Sequence, residues 1–174
     1  MKKIALIYGP QGGSVEKVAK MIREKVGERV ELIPVEKATI DDINKYENII
    51  FGLSTVGADS WSMDHTKDPW TKILTNLDKV DYLGKTFALY GLGNHVLYPR
   101  HFVDAMGVLG RELLRHGARI VGQQPVGDYD FEESLAVIDD HFIGLPLDED
   151  TEPEKTPGRL DKWLEVILKE FDQA

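Results

Sequence analysis

The sequence predicts an α/β protein of three layers, with helices on both faces of a doubly wound, five-stranded parallel sheet. Three observations carry that expectation. Five short apolar runs alternate with amphipathic helical segments along the 174 residues. Several of these runs are apolar throughout, as strands covered on both faces are. The loops after the first, third and fourth runs contain glycine, as ligand-binding turns at the ends of parallel strands do. A chain of this length, 42% hydrophobic, can bury a substantial core and is expected to form one domain over residues 1–174.

Taken in order, "KIALIY" (3–8) is the first strand and stops at Gly9-Pro10. Apolar residues at 15, 18, 19, 22 and 26 then mark one face of a helix, with Ser14 as its cap and Gly27 at its end. "VELIPV" (30–35) is the second strand, and its proline points to an edge position. "DDINKY" is a short helix, and "NIIFGL" (48–53) a buried strand. A polar loop, 54–69, leads to a helix near 70–77 and to strand four, "TFALYGL" (86–92). Pro99 suits the first position of a long helix that buries Phe102, Ala105, Met106, Leu109 and Leu113 and ends at Gly117. "RIVGQQPV" is the fifth strand. After an irregular acidic stretch, Thr156-Pro157 opens a last helix with Leu160, Leu164, Ile167 and Phe171 inward.

Composition removes whole classes of function. There is no cysteine, hence no disulfide, thiolate metal site or cysteine nucleophile. The five histidines show no ligand spacing, so no metal is expected. No segment reads as a signal peptide or a membrane span, so a cytoplasmic location is the expectation. The net charge of −9 argues against nucleic acid as partner. That charge is concentrated: residues 128–154 hold 11 Asp and Glu and no Lys or Arg, so the rest of the chain is slightly positive. The run is either a solvated loop face or a docking surface for basic partners.

In a doubly wound sheet, ligands sit beyond the carboxyl ends of the strands. Three loops leave those ends: 9–14, 54–69 and 91–98. Gly12, Gly13 and Ser14 abut a helix start, where unpaired N–H groups favour an anion. The alternative is a tight turn that needs glycine for geometry alone. Gly13-Ser14-Val15 lacks the Gly-Lys-Ser/Thr of a nucleotide P-loop, and no GxGxxG follows the first strand.

Order and spacing along nearly the whole chain resemble a long-chain flavodoxin. "GPQGGSVEKVAKMI" stands where that family has its phosphate loop, and "GLSTVGADS" where it has its first flavin loop. "YGLGNHVLYPRHFVDAMGVLGRELLRHGARIVG" resembles the second flavin loop with the helix beyond it. Residues 125–164 resemble an insertion that interrupts the fifth strand in the long-chain branch. The resemblance implies strand order 2-1-3-4-5, FMN bound without a covalent bond, and a low-potential, one-electron carrier serving redox enzymes, with no substrate of its own. It implies cofactor contacts from Pro10, Gln11, Gly12, Gly13, Ser14 and Val15 for the phosphate. It implies others from Ser54, Thr55, Val56, Gly57 and Ala58, and from Gly91, Leu92, Gly93, His95 and Tyr98. Tyr98 matches the outer ring-stacking tyrosine or, alternatively, packs on the following helix. Val56 falls at the inner wall; Trp61 and Trp70 either approach the ring or pin their loop to the core. The Gly57–Ala58 peptide is the one expected to turn when the flavin is reduced, and Asp59, Asp64 and Asp68 are expected to lower its potential.

The phosphate loop departs from the family's Thr-x-Thr-Gly-x-Thr. Pro10 and Gly12 fill the first two hydroxyl positions, Gly13 is kept, Ser14 follows, and Val15 replaces the last threonine. Hydrogen bonds to charged groups are worth about 1.5–3 kcal/mol each, so several kcal/mol of phosphate affinity are at stake. Two other readings stay open: a binding module with weak or no FMN binding, and an FMN-dependent quinone or flavin reductase. Partner reductases and acceptor enzymes with basic faces would be steered by the acidic rim.

Overall fold

The computed structural model describes residues 2–55 and 68–173. The main sheet contains β1 (Ile4–Tyr8), β2 (Val30–Pro34), β3 (Asn48–Ser54), β4 (Thr86–Leu92) and β5 (Arg119–Val121), in the order β2-β1-β3-β4-β5. Every pairing among them is parallel. The chain thus starts at β1, moves outward to β2, then crosses to β3 on the other side. Strand order reverses between β1 and β3, and the crevice at their carboxyl ends opens there. Pro34 lies on the edge strand β2, where a missing N–H is tolerated.

Strand alternation sorts the core into two halves. Ile4, Leu6 and Tyr8 face one side, under α1 (Ser14–Val26) and the C-terminal helix Thr156–Gln173, and meet Val18, Ile22, Leu160, Trp163 and Ile167. Ala5 and Ile7 face the other side with Phe51, Phe87 and Leu89. They lie under α2 (Ile40–Lys45), α3 (Thr71–Leu74) and α4 (Asp104–Arg115). The Thr156–Gln173 helix is α5. Each fully buried aliphatic or aromatic side chain contributes about 1.5–3 kcal/mol, so the two faces together anchor the strand ends firmly. Among the described residues no helix is long and apolar enough to cross a membrane.

Three local expectations are corrected. Helix α1 starts at Ser14, with Gly13 as its cap and no side-chain cap. Ser14 is therefore inside the first turn rather than before it. Helix α4 begins at Asp104, not at Pro99. The Pro99 carbonyl instead accepts from the N–H groups of Glu132 and Glu133, at 2.7 and 2.9 Å, and Ser134 Oγ donates to the Phe102 carbonyl. The acidic stretch competes for these carbonyls and holds 99–102 out of the helix, leaving Val103 left-handed at φ 50°.

The fifth strand, expected over "RIVGQQPV", stops at Val121. After Val121 the chain turns at Gly122, φ 87°, whose carbonyl accepts from Trp163 Nε1 at 3.0 Å. β6 (Gln124–Pro125), β7 (Val137–Ile138) and β8 (His141–Phe142) then form a separate antiparallel sheet in the order β6-β8-β7. β9 (Leu145–Leu147) returns to pair with the upper half of β4, Tyr90–Leu92, while β5 keeps its lower half, Thr86–Ala88. An insertion thus interrupts the strand, as the resemblance implies. Its aromatic residues Tyr129, Phe131 and Phe142 surround Phe102 with ring centroids 5.9 Å away.

Candidate functional site

The turn between β1 and α1 is built from backbone. Gly12 has φ 82°, a left-handed conformation that glycine adopts without strain. At Gly13, φ −131°, an added Cβ would meet nothing within 4 Å. The first helical bond runs from Lys17 N–H to the Gly13 carbonyl, 3.1 Å, so the preceding N–H groups make none of the α-helical bonds. Tyr90 fixes the turn from below: its ring crosses Gly52, and its hydroxyl donates to the Val15 carbonyl at 2.9 Å. Trp70 fixes it from the side, donating Nε1 to the Gly9 carbonyl at 3.5 Å and packing edge-on against Phe51. Trp70 is therefore the loop-pinning residue of the two alternatives.

A cleft of about 190 Å³ opens over this turn, lined by Pro10, Gly13, Ser14, Val15, Ser54, Leu92, Gly93, Glu149 and Asp150. Whole-ligand pockets span about 300–1,000 Å³, so this space suits a phosphate and a short chain rather than an entire cofactor. Seven of these nine residues are expected site residues, brought together from three loops. Others are placed differently. Gln11 turns outward, its Nε2 on Glu36 Oε2 at 3.0 Å. Thr55 is buried, and its hydroxyl accepts from Ala105 N–H at the start of α4, 3.2 Å. Gly91 is a packing residue: a Cβ there would stand 2.9 Å from Met106 Cβ. Val56, Gly57, Ala58, Asp59, Trp61 and Asp64 lie outside the described residues.

The second wall is built from side chains. Asp148, at the end of β9, is fully buried and gathers five donors. They are His95 N–H and Nδ1, at 3.1 and 2.5 Å, Thr151 N–H and Oγ1, at 2.9 and 2.6 Å, and Asp150 N–H, at 3.1 Å. Burial alone would raise the Asp148 carboxyl, but the donors from Thr151 and His95 outweigh it and hold the group below its ordinary value. His95 Nδ1 also lies 3.5 Å from Glu152 Oε1, and Glu152 pairs in turn with Lys155 and Arg159. The donor atoms of His95, Asp148 and Glu152 lie within 4.8 Å of one another, which invites a metal reading. With Nδ1 bonded to Asp148 and Glu152 held by two cations, the group is complete as an ion-pair network. His95 thus ties its loop to Asp148 and is not among the residues lining the cleft over the β1–α1 turn.

Asn94 shapes the loop beside it. Its Oδ1 accepts from Val96 and Leu97 N–H, at 3.1 and 2.9 Å, while Nδ2 donates to Asp150 Oδ2 at 3.2 Å. The resulting turn presents Val96, Leu97 and Tyr98 to solvent, Tyr98 at 44% exposure. Sequence reasoning missed Asn94, Asp148, Glu149 and Asp150. β9 is also a strand of this sheet, so the loop after it also leaves a carboxyl end, a placement that only the folded insertion creates. The acidic run is thereby divided. Asp128, Asp130, Glu132 and Glu133 are exposed, whereas Asp148 is buried and Glu149 and Asp150 line the cleft.

The arrangement offers bare helix N–H groups at one end, carboxylates that can accept from hydroxyls in the middle, and an exposed aromatic loop beyond. A family model for flavodoxins matches residues 6–163. The chain is 39% identical to flavodoxin 1 of Azotobacter vinelandii, covering 98% of each, and 34% identical to flavodoxin 1 of Escherichia coli, covering 95% and 93%. Among solved structures, the flavodoxin of Fusobacterium nucleatum bound to flavin mononucleotide superposes with a TM-score of 0.82 at 26% identity, covering 98% of this chain and 99% of that one. On this evidence the chain belongs to the flavodoxin family.

Proposed function

We infer that this protein binds FMN and carries electrons between redox enzymes, without a substrate of its own. The observation that carries the reading is the helix α1 N-terminus, free of any side-chain cap, opening into the cleft where the strand order reverses. The residues fit the cofactor. A phosphate needs donors without a competing side chain, which the Gly12–Ser14 turn offers. A polyol chain needs acceptors, and Asp150 and Ser54 line the next part of the cleft. When bound, the flavin supplies reversible electron uptake; the protein supplies binding, orientation and electrostatics.

In this reading Pro10, Gln11, Gly12, Gly13, Ser14 and Val15 form the phosphate turn, with Gln11 contributing backbone only. Ser54, Leu92 and Gly93 line the passage toward the ring, and Tyr98 stacks on it. Val56, Gly57 and Ala58 complete the ring site on sequence grounds. Gly91, Thr55 and His95 support these loops from behind. The exposed acidic residues Asp128, Asp130, Glu132 and Glu133 stand beside the Tyr98 loop: Pro99 accepts from two of their N–H groups, and Arg100 pairs with Glu132 at 2.9 Å. Partners with basic faces are therefore favoured, with salt-dependent rates.

Purified protein supplied with FMN should acquire a perturbed flavin spectrum with quenched fluorescence, and should not oxidise NAD(P)H alone. Unchanged FMN spectrum and fluorescence would overturn the reading, and NAD(P)H turnover would favour a reductase.

A further inference from the structure

We propose that Lys17 sets the affinity for the phosphate group by cancelling the charge of Glu149, in place of the hydroxyls that the turn lacks. The proposal rests on the FMN reading above. Glu149 lines the cleft beside Gly13, Ser14 and Val15, and its side chain is only 6% exposed. A carboxylate so placed repels a phosphate anion, and little water stands by to screen it. The Lys17 ammonium lies 2.8 Å from Glu149 Oε1. Its backbone position is set by the first bond of helix α1, to the Gly13 carbonyl. An ammonium has three donors, so it can hold Glu149 and still direct an N–H at a second anion.

Glu149 cannot turn away to relieve the repulsion. Its other oxygen accepts from the buried Thr156 Oγ1 at 2.7 Å, at the start of α5, where the positive helix end also favours a carboxylate. Phosphate, Glu149 and Lys17 therefore form a set in which one fixed negative group opposes the ligand and one cation offsets it. Lys17, 63% exposed, can be removed without opening the core.

The test uses flavin-free protein titrated with FMN and with riboflavin, which lacks the phosphate. Lys17→Gln should weaken FMN binding about tenfold at low salt and leave riboflavin binding unchanged, the difference shrinking at about 0.5 M salt. Glu149→Gln should strengthen FMN binding, and the double variant should return to near the wild-type value. Equal weakening of both flavins by Lys17→Gln would show a merely structural ion pair and overturn the proposal, as would an unchanged FMN affinity. A double variant as weak as Lys17→Gln would overturn charge cancellation in particular. Wild-type protein that binds FMN no better than riboflavin would instead overturn the FMN reading itself, and this inference with it.

Discussion

At one end of the cleft, residues 10–15 present backbone: a left-handed glycine, a glycine cap and the N–H groups of a helix start, with no side-chain cap. At the other, residues 94–98 and 148–152 are bound together by side chains, five donors converging on Asp148. The difference concerns what each end must do. A phosphate is recognised by several weak dipoles at once, so a turn of bare peptide, held in place by Tyr90 and Trp70, is suited to seat it. A loop that presents exposed apolar residues has no burial of its own to order it. It has to be tied from behind, and Asn94, His95 and Asp148 do this.

The contrast is broken most severely at Asp148. Asp148→Ala leaves the N–H groups of Thr151, Asp150 and His95 without their acceptor in a buried place, and should cost about 3 kcal/mol or more in chemical denaturation. Because the carboxyl sits below its ordinary value, its contribution is complete above the ordinary carboxylate range and is lost as the pH falls through that range toward the lowered native value. Asp148→Asn should therefore flatten the acid limb of the stability profile. An acid limb identical to that of the wild type would place the titrating carboxylate elsewhere.

Smaller effects sharpen the comparison. Tyr98→Ala, at an exposed loop tip, should leave the fold intact and weaken FMN binding by about 1–3 kcal/mol, the scale of a lost aromatic contact. An unchanged dissociation constant would remove Tyr98 from the ring site. Gly12→Ala places a Cβ on a left-handed residue and should cost about 1–2 kcal/mol of stability. Gly13→Ala meets open space at an ordinary extended angle. It should cost less than about 0.5 kcal/mol, since the Cβ also restricts the unfolded chain. Equal losses at the two glycines would mean that the turn has another geometry.

Legibility in the sequence followed the same division. The backbone-built turn was readable, because glycine pattern, strand end and helix start are adjacent along the chain. The side-chain-built wall was not. His95 and Asp148 are 53 residues apart, and only the folded insertion brings β9 beside β4. Reading residues 128–154 as one charged surface hid that Asp148 is buried and Glu149 faces the cleft. Pro99 misled for a related reason: local preference favoured a helix start, but bonds to Glu132 and Glu133 claimed its carbonyl. Strands β1 to β4, helices α1 and α2 and the start of α5, whose signals are local and periodic, were recovered nearly to the residue. Features that depend on contact across the insertion were not.

The central claim is that the phosphate lies on the peptide groups of the β1–α1 turn. Backbone amide resonances read this directly in isotope-labelled protein titrated with FMN and with riboflavin. The amides of Gly12, Gly13, Ser14, Val15 and Glu16 should shift strongly with FMN and little with riboflavin, while those of residues 94–98 should shift alike with both. If the amides of residues 12–16 respond equally to the two flavins, and the phosphate-dependent shifts fall elsewhere, the phosphate does not lie on this turn.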